Sequence, residues 1–151
     1  MTDVATLAAG MSQAVPFMRT LGIEFVAAAE NGAEVSADLP DRTDLHNHVG
    51  GPHAGALFSL GETVSGAVVL STFAQQLADA VPLAVGARIA YKKLAMGPVR
   101  ATARLARPKD EVLAELEAGN RPEFDIAVEI TNAEGLVTAE MTVTWTLRRN
   151  R

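Results

Sequence analysis

Apolar residues recur along this chain with two periods, and these periods divide it into helices and strands. Helical spacing of three and four residues occurs twice. In 3–21 the spaced apolar residues are Val4, Leu7, Met11, Val15, Met18 and Leu21. Pro16 interrupts this first pattern, so it predicts one or two short helices. From about 53 to 75 the spaced residues are Leu57, Leu60, Val64, Ala67 and Val68. The second pattern predicts one long helix buried in protein.

Extended segments fill most of the remaining chain. Asn31-Gly32 favours a tight hairpin turn, so strands are predicted on either side of it, at 23–29 and 33–39. After a turn near 79–82, further strands are predicted at 83–93, 99–107, 124–131 and 136–147. Residues 109–119 fit either a short helix or a loop. One long helix among antiparallel strands indicates a single α+β domain over 1–151, in which a curled antiparallel sheet wraps around the central helix.

Composition excludes several functions. The net charge is -5 and the basic residues are scattered over the 151-residue chain, which argues against nucleic-acid binding. There is no cysteine, hence no thiol nucleophile. The long apolar helix contains Ser59 and Glu62, so it is expected inside protein and not in a membrane. The first ten residues lack the basic start of a signal peptide, and a cytoplasmic protein is expected.

The candidate chemistry is concentrated in 46–66, which holds all three histidines. Gly50-Gly51-Pro52 predicts a loop immediately before the long helix. The first amides of that helix, those of Ala54, Gly55 and Ala56, are expected to lack intrahelical partners and to point outward. Such N–H groups suit an anion or a developing oxyanion.

Glu62 is the only carboxylate between Asp44 and Asp79, in the middle of the apolar helix. Burying a carboxylate is costly unless it faces a cavity or a partner. Its neighbours on the helix are small or weakly polar and leave room beside it: Phe58, Ser59, Ser65 and Gly66. Ala54 and Glu62 are eight residues, roughly 12 Å, apart along the axis. If both serve one reaction centre, they must come from different copies in a symmetric dimer.

This stretch resembles the hotdog-fold thioesterases, in particular the PaaI-like acyl-CoA thioesterases. The pattern of that family is Asn, Gly three residues later, His after three more, and an acidic residue nine positions beyond the His. Asn47, Gly50, His53 and Glu62 occupy those places, and Leu60 stands at the usual apolar site two before the acid. The resemblance implies the hotdog fold and runs from the first hairpin to the last strand.

The resemblance also implies a reaction at a dimer interface, with a tetramer as the expected assembly. The Ala54 amide would polarise the thioester carbonyl, while Glu62 of the other copy would activate water or attack the carbonyl directly. Asn47 and His53 would position the acyl group or the water. Coenzyme A enters as part of the substrate, with no other cofactor and no metal. The remaining residues expected to contact substrate are Gly55, Phe58, Ser59, Ser65, Gly66, Lys92, Lys93 and Arg100.

Three departures from the family are visible. Ala54 replaces the first glycine after the histidine, which keeps the amide and adds a methyl group. Glu62 stands where many relatives have Asp. Gly66 replaces the threonine that aryl-CoA thioesterases carry one turn after the acid. Lys92, Lys93 and Arg100 could meet the phosphates of coenzyme A, or could simply solvate the ends of strands.

Other functions are compatible with the same residues. His48 lies fourteen residues before Glu62, the spacing found in hotdog dehydratases, although the proline-rich helix entrance of those enzymes is missing. A non-catalytic module that binds acyl-CoA would explain the altered Ala54. A metal site built from His46, His48 and His53 is a further alternative, but no helix fixes two of them on one face.

Overall fold

Residues 3–151 are described in the computed structural model, and they form four helices and six strands. The helices are α1 (Val4–Ala14), α2 (Pro16–Leu21), α3 (Ala54–Thr72) and α4 (Lys109–Glu117). The strands are β1 (Glu24–Ala28), β2 (Glu34–Leu39), β3 (Ala80–Tyr91), β4 (Val99–Leu105), β5 (Glu123–Asn132) and β6 (Val137–Arg149). Short 3-10 turns lie at Thr43–Leu45 and Ala74–Ala78.

The strands form one antiparallel sheet in the order β1-β2-β4-β5-β6-β3. β1 and β3 are its two edges, and the sheet is not closed into a barrel. The register is interrupted where β1 pairs with β2, where β3 pairs with β6 and where β5 pairs with β6, and such irregularities increase the local twist of a sheet. The twisted sheet curls around α3, which confirms the predicted α+β hotdog fold.

The core lies between α3 and the concave face of the sheet. Leu60, Val64, Ala67 and Val68 on the apolar face of α3 are fully buried, together with Ala101 and Ala103 of β4. Gly61 allows the helix to approach β6 closely, because a Cβ atom there would lie 2.5 Å from Met141 Sδ. By length and composition α3 could span a membrane, but 61% of its apolar window is buried inside the protein. α3 is therefore the core helix.

Pro16 starts α2, where the missing N–H of proline costs nothing, and this ends the first helical pattern as predicted. The turn expected near 79–82 is wrong, since β3 already begins at Ala80 and Pro82 pairs with Leu147 of β6. Proline is tolerated there because β3 is an edge strand, so only one side needs a hydrogen-bonding partner. Residues 109–117, left open between helix and loop, form α4.

Candidate active site

Asn47 organises the loop that leads into α3. Its side-chain oxygen accepts the N–H groups of Val49 and Gly51 at 3.0 and 3.2 Å, and its amide nitrogen donates to the carbonyl of Pro52 at 3.4 Å. Gly50 adopts a positive φ of 80°, a backbone conformation that favours glycine. The Asn47 side chain thus fixes the backbone that delivers the first residues of the helix.

His53 is the N-cap of α3. Its Nδ1 atom accepts the N–H of Gly55 at 2.8 Å, and its carbonyl accepts the N–H of Ala56 at 2.9 Å. The expectation that three amides are unpaired at this helix start is therefore wrong for Gly55 and Ala56, because the cap residue pairs with both. Ala54 is different: its exposed N–H has no hydrogen-bond acceptor among residues 3–151.

An open groove of about 340 Å³ lies beside this helix start. Asn47, Ala54 and Leu57 form one wall, and the residues that follow β3, including Lys92 and Lys93, form the other. The Tyr91 hydroxyl donates to the carbonyl of Ala54 at 3.0 Å and ties the two walls together. The groove combines one unpaired N–H donor with two exposed ammonium groups, which suits an anionic ligand.

Glu62 is half-buried about two turns further along α3, in a second cavity of about 220 Å³. The cavity is mostly apolar and is lined by Met11, Val15, Gly66, Leu70, Pro82 and Trp145, among others. Burial raises the pKa of the Glu62 carboxyl above its usual range. A carboxylate with a raised pKa in an apolar cavity is suited to act as a base near neutral pH.

Trp145 forms the floor of the Glu62 cavity and is held by Ser65. The indole N–H donates to Ser65 Oγ at 3.0 Å, and the Ser65 hydroxyl donates to the carbonyl of Glu62 at 2.7 Å. Ser65 is fully buried beneath the cavity and does not line it. Gly66 does line it, and a Cβ atom there would touch the Trp145 ring at 3.5 Å.

Most of the other predicted site residues line neither of these two cavities. Phe58 is half-buried against the core, and Ser59 donates back to the carbonyl of Gly55 at 2.8 Å. Lys92 also forms an ion pair with Glu140 at 3.2 Å. Arg100 lines neither cavity: its guanidinium is held by both carboxylate oxygens of Asp38, at 2.6 and 2.9 Å, on the outer face of the sheet.

The three histidines have separate surroundings. His46 Nε2 pairs with Asp41 at 2.6 Å, His53 caps α3, and His48 is exposed. Over residues 3–151, no three His, Asp or Glu side chains converge on a point where one metal ion could be held.

Sequence reasoning missed several residues of these cavities, among them Trp145, Met11 and Tyr91. Trp145 is the only tryptophan in the chain and lies at an inward-facing position of β6. The sequence could therefore have identified it as a candidate. Met11 belongs to the helical pattern of α1, but which surface that helix covers is not visible in the pattern. Tyr91 stands beside the two lysines, and its contact with Ala54 spans 37 residues of sequence.

Solved structures share the whole fold. A Pseudomonas aeruginosa protein, PA5026, described as a probable thioesterase, superposes with a TM-score of 0.85 at 24% identity over 99% of this chain and 97% of its own. The Haemophilus influenzae thioesterase HI1161 gives 0.78 at 16% identity, with 99% and 92% covered. A mutant of the Pseudomonas aeruginosa thioesterase PA1618 gives 0.78 at 20% identity, with 99% and 96% covered.

The curled sheet, the central helix and these similarities define the fold class: this is a hotdog-fold protein. The chain belongs to the family described as a domain of unknown function, DUF4442, which matches residues 4–147. No curated protein matches it in sequence.

Proposed function

We propose that this protein hydrolyses acyl-CoA thioesters to the free acid and coenzyme A, at sites built across the interface of a homodimer. One observation carries this proposal. The chain has an unpaired N–H at Ala54 and a half-buried carboxylate at Glu62, and it holds these two groups in separate cavities. Each cavity holds half of what thioester hydrolysis requires.

The Ala54 N–H supplies the first half. In thioester hydrolysis negative charge develops on the carbonyl oxygen, and a preorganised donor stabilises it without rearranging. His53 and Asn47 fix the loop and the helix start, so this donor is preorganised. The positive end of the helix dipole adds to the effect.

Glu62 of the partner copy supplies the second half. A water oxygen bonds to the carbonyl carbon while the carboxylate takes the water proton, and the oxyanion accepts the Ala54 N–H. The C–S bond then breaks, the carbonyl forms again, and the proton passes from Glu62 to the leaving thiolate. The alternative route is direct attack by Glu62 on the thioester carbonyl carbon, which expels the thiolate and forms an acyl anhydride; water then attacks the Glu62 carbonyl of that anhydride, and the acid leaves while the thiolate takes up a proton from the water. Single turnover in ¹⁸O water separates the routes, since only the first places the label in the product acid.

The dimer is supported by β3. This twelve-residue strand is an edge of the sheet and exposes Val81, Val85 and Tyr91 at 36, 44 and 49%. A long edge strand with exposed apolar residues is a template for pairing with another strand. Pairing between two β3 strands would extend the sheet through the interface.

Further association to a tetramer and a cytoplasmic location remain predictions, checked by light scattering and by localisation of a tagged protein.

Coenzyme A is expected at the groove beside Ala54. Lys92 and Lys93 stand at its wall and present positive charge to phosphate groups. Arg100 is not proposed for this role, because it does not line this groove and is held by Asp38 on the outer face of the sheet.

The test is release of free thiol from short, medium, long and aromatic acyl-CoAs by the wild type, by Glu62→Gln and by Glu24→Gln. Glu24 is an exposed carboxylate of β1 and serves as the matched control. We expect Glu62→Gln to lose most turnover and Glu24→Gln to keep it. Near-normal turnover in Glu62→Gln would contradict the proposal. Binding of acyl-CoA by the wild type without any turnover would instead identify a non-catalytic binding module.

A further inference from the structure

One face of α3 continues from Glu62 toward the end of the helix. Glu62, Gly66, Leu70 and Ala74 follow each other at intervals of four residues, so they lie in one row along the helix and the turn after it. All four line cavities. Glu62, Gly66 and Leu70 line the Glu62 cavity, and Leu70 and Ala74 line a neighbouring cavity of about 310 Å³, called here the outer cavity.

Helix α1 covers this row from the other side. Met11 of α1 and Leu70 of α3 line both cavities, so they stand at the boundary between them. Met11 is 2% exposed, and its unbranched side chain adapts readily to neighbouring shapes. The two cavities are therefore neighbours between α1 and α3, with Met11 and Leu70 between them.

The outer cavity changes character along its length. Leu7, Gly10, Met11 and Leu70 make its near part apolar. At the far end are Asp3 and Thr6, which hydrogen bond to each other, while Ser71, next to Leu70 on α3, also lines the cavity and has a hydroxyl with no hydrogen-bond partner within the described part of the chain. An apolar channel that starts at the carboxylate and ends at a polar rim fits an unbranched apolar tail of limited length.

We propose that the acyl group of the substrate runs from Glu62 past Met11 and Leu70 into the outer cavity, so that the protein selects medium-chain, unbranched aliphatic acyl groups. This inference rests on the proposed function, since it assumes that the thioester carbonyl lies at Glu62. It assigns α1 the role of acyl-binding wall and Gly10 the role of keeping the outer cavity open.

The geometry sets the expected length. Eight residues separate Glu62 from Leu70, which is about 12 Å along the helix axis. A fully extended chain advances about 1.2 Å per bond, as judged from about 3.5 Å for the three backbone bonds of a residue. Ten such bonds cover about 12 Å, so an acyl chain of about eleven or twelve carbons passes Leu70 and reaches the outer cavity, while an acetyl group stays beside Glu62.

Gly10 provides the test. A Cβ atom at Gly10 would meet nothing within 4 Å, so a larger side chain can enter the outer cavity without a clash in the backbone. Gly10→Leu should fill the cavity and should also favour the helix, because glycine is a poor helix former. Ala9→Leu is the matched control: Ala9 is the exposed neighbour in α1 and lines neither cavity.

We expect wild type and Ala9→Leu to hydrolyse dodecanoyl-CoA at least tenfold faster in kcat/KM than acetyl-CoA, and Gly10→Leu to lose that preference while retaining its acetyl-CoA rate. Met11→Ala should shift the optimum toward longer chains by widening the boundary. Thermal unfolding of each variant identifies any that fail to fold.

Binding is measured separately from turnover with thioether analogues of acyl-CoA, octyl-CoA, decyl-CoA and dodecyl-CoA, through the fluorescence of Trp145, the single tryptophan at the cavity floor. Turnover with the same chain-length profile in wild type, Gly10→Leu and Ala9→Leu would overturn the acyl-channel inference and leave the thioesterase proposal intact. Two other results would separate the proposals in the opposite way. Binding that depends on chain length and is abolished by Gly10→Leu would support the channel, and the absence of hydrolysis of any acyl-CoA would overturn the thioesterase proposal.

Discussion

The indole N–H of Trp145 donates to the buried hydroxyl of Ser65 at 3.0 Å, and that hydroxyl donates in turn to the carbonyl of Glu62 at 2.7 Å. The only tryptophan of the chain, in the last strand, is thus linked to the helical turn that carries the candidate catalytic carboxylate. The link spans 80 residues of sequence. It holds the floor of the cavity in a fixed position relative to Glu62.

Removing the Ser65 hydroxyl should expose the cost of an unpaired buried donor. In Ser65→Ala the Trp145 N–H loses its acceptor, and we expect a loss of about 1–3 kcal/mol in the free energy of unfolding. In a Trp145→Phe background no donor is left unpaired, so the same change should cost less than about 1 kcal/mol. Urea denaturation followed by circular dichroism measures the free energy of unfolding of each variant. If Ser65→Ala costs the same in the wild type and in the Trp145→Phe background, this account is contradicted.

Replacing Ala54 by proline removes its N–H with little disturbance to the helix. Ala54 is the first helical residue, where proline is favoured, and the preceding His53 has a ψ of 142°, in the range that a residue before proline requires. We expect Ala54→Pro to lower kcat by about 10²–10³-fold, the usual effect of removing one oxyanion donor.

The control for this variant is Ala54→Gly, which keeps the N–H and restores the residue that the thioesterase pattern carries at this place. It should retain turnover, while the circular dichroism spectra of both variants stay like that of the wild type. If Ala54→Pro folds and keeps its turnover in the thiol-release assay, the Ala54 amide is not the oxyanion donor.

The buried carboxyl of Glu62 should make stability depend on pH. Burial raises its pKa in the folded state above the ordinary value of 4.5, so at intermediate pH the folded protein binds more protons at this group than the unfolded chain does. The free energy of unfolding should therefore fall as pH rises from the ordinary pKa through the raised one. Glu62→Gln lacks this dependence.

Denaturation of the wild type and Glu62→Gln between pH 4 and 8 checks this expectation. The variant should gain stability relative to the wild type as pH rises, and the difference should level off above the raised pKa. A constant difference across the range would mean that the carboxylate is well solvated. In the wild type, turnover should fall as pH drops through the same raised pKa, since the ionised form is the active one.

Much of this fold could be predicted from the sequence, because local patterns determine it. The alternation of Ala101 and Ala103 with Arg100 and Thr102 identified a strand with one buried face, and the spacing of Leu60 and Val64 identified the core helix. Pro82 was misread as part of a turn. Its position in β3 depends on that strand being an edge, which is a property of the whole sheet.

The sequence predicts a site residue that is unusual by itself, but it does not predict a part of the site that several distant residues form together. Glu62 is conspicuous as a lone carboxylate in an apolar helix. The His53 side chain pairs with the Gly55 amide and leaves Ala54 as the unpaired donor. This arrangement depends on the rotamer of His53, which the sequence does not show. The roof of the Glu62 cavity depends on how α1 packs, and the periodicity of α1 shows only that it has an apolar face.

The assignment of Ala54 and Glu62 to different subunits predicts complementation between two inactive variants. Ala54→Pro and Glu62→Gln should each be nearly inactive as homodimers. In a heterodimer, one site combines the intact Ala54 of one subunit with the intact Glu62 of the other, and the second site carries both defects. Refolding equal amounts together gives half heterodimers, so about a quarter of wild-type turnover should return.

A site contained within one subunit gives the opposite result, since every subunit of the mixture then carries one defect and no activity returns. The separation of the groove and the Glu62 cavity along α3 favours complementation. The measurement is thiol release before and after corefolding, with each variant refolded alone as the control. Because the recovered fraction depends on which residues share a site, it tests the geometry of the active site as well as the existence of the dimer.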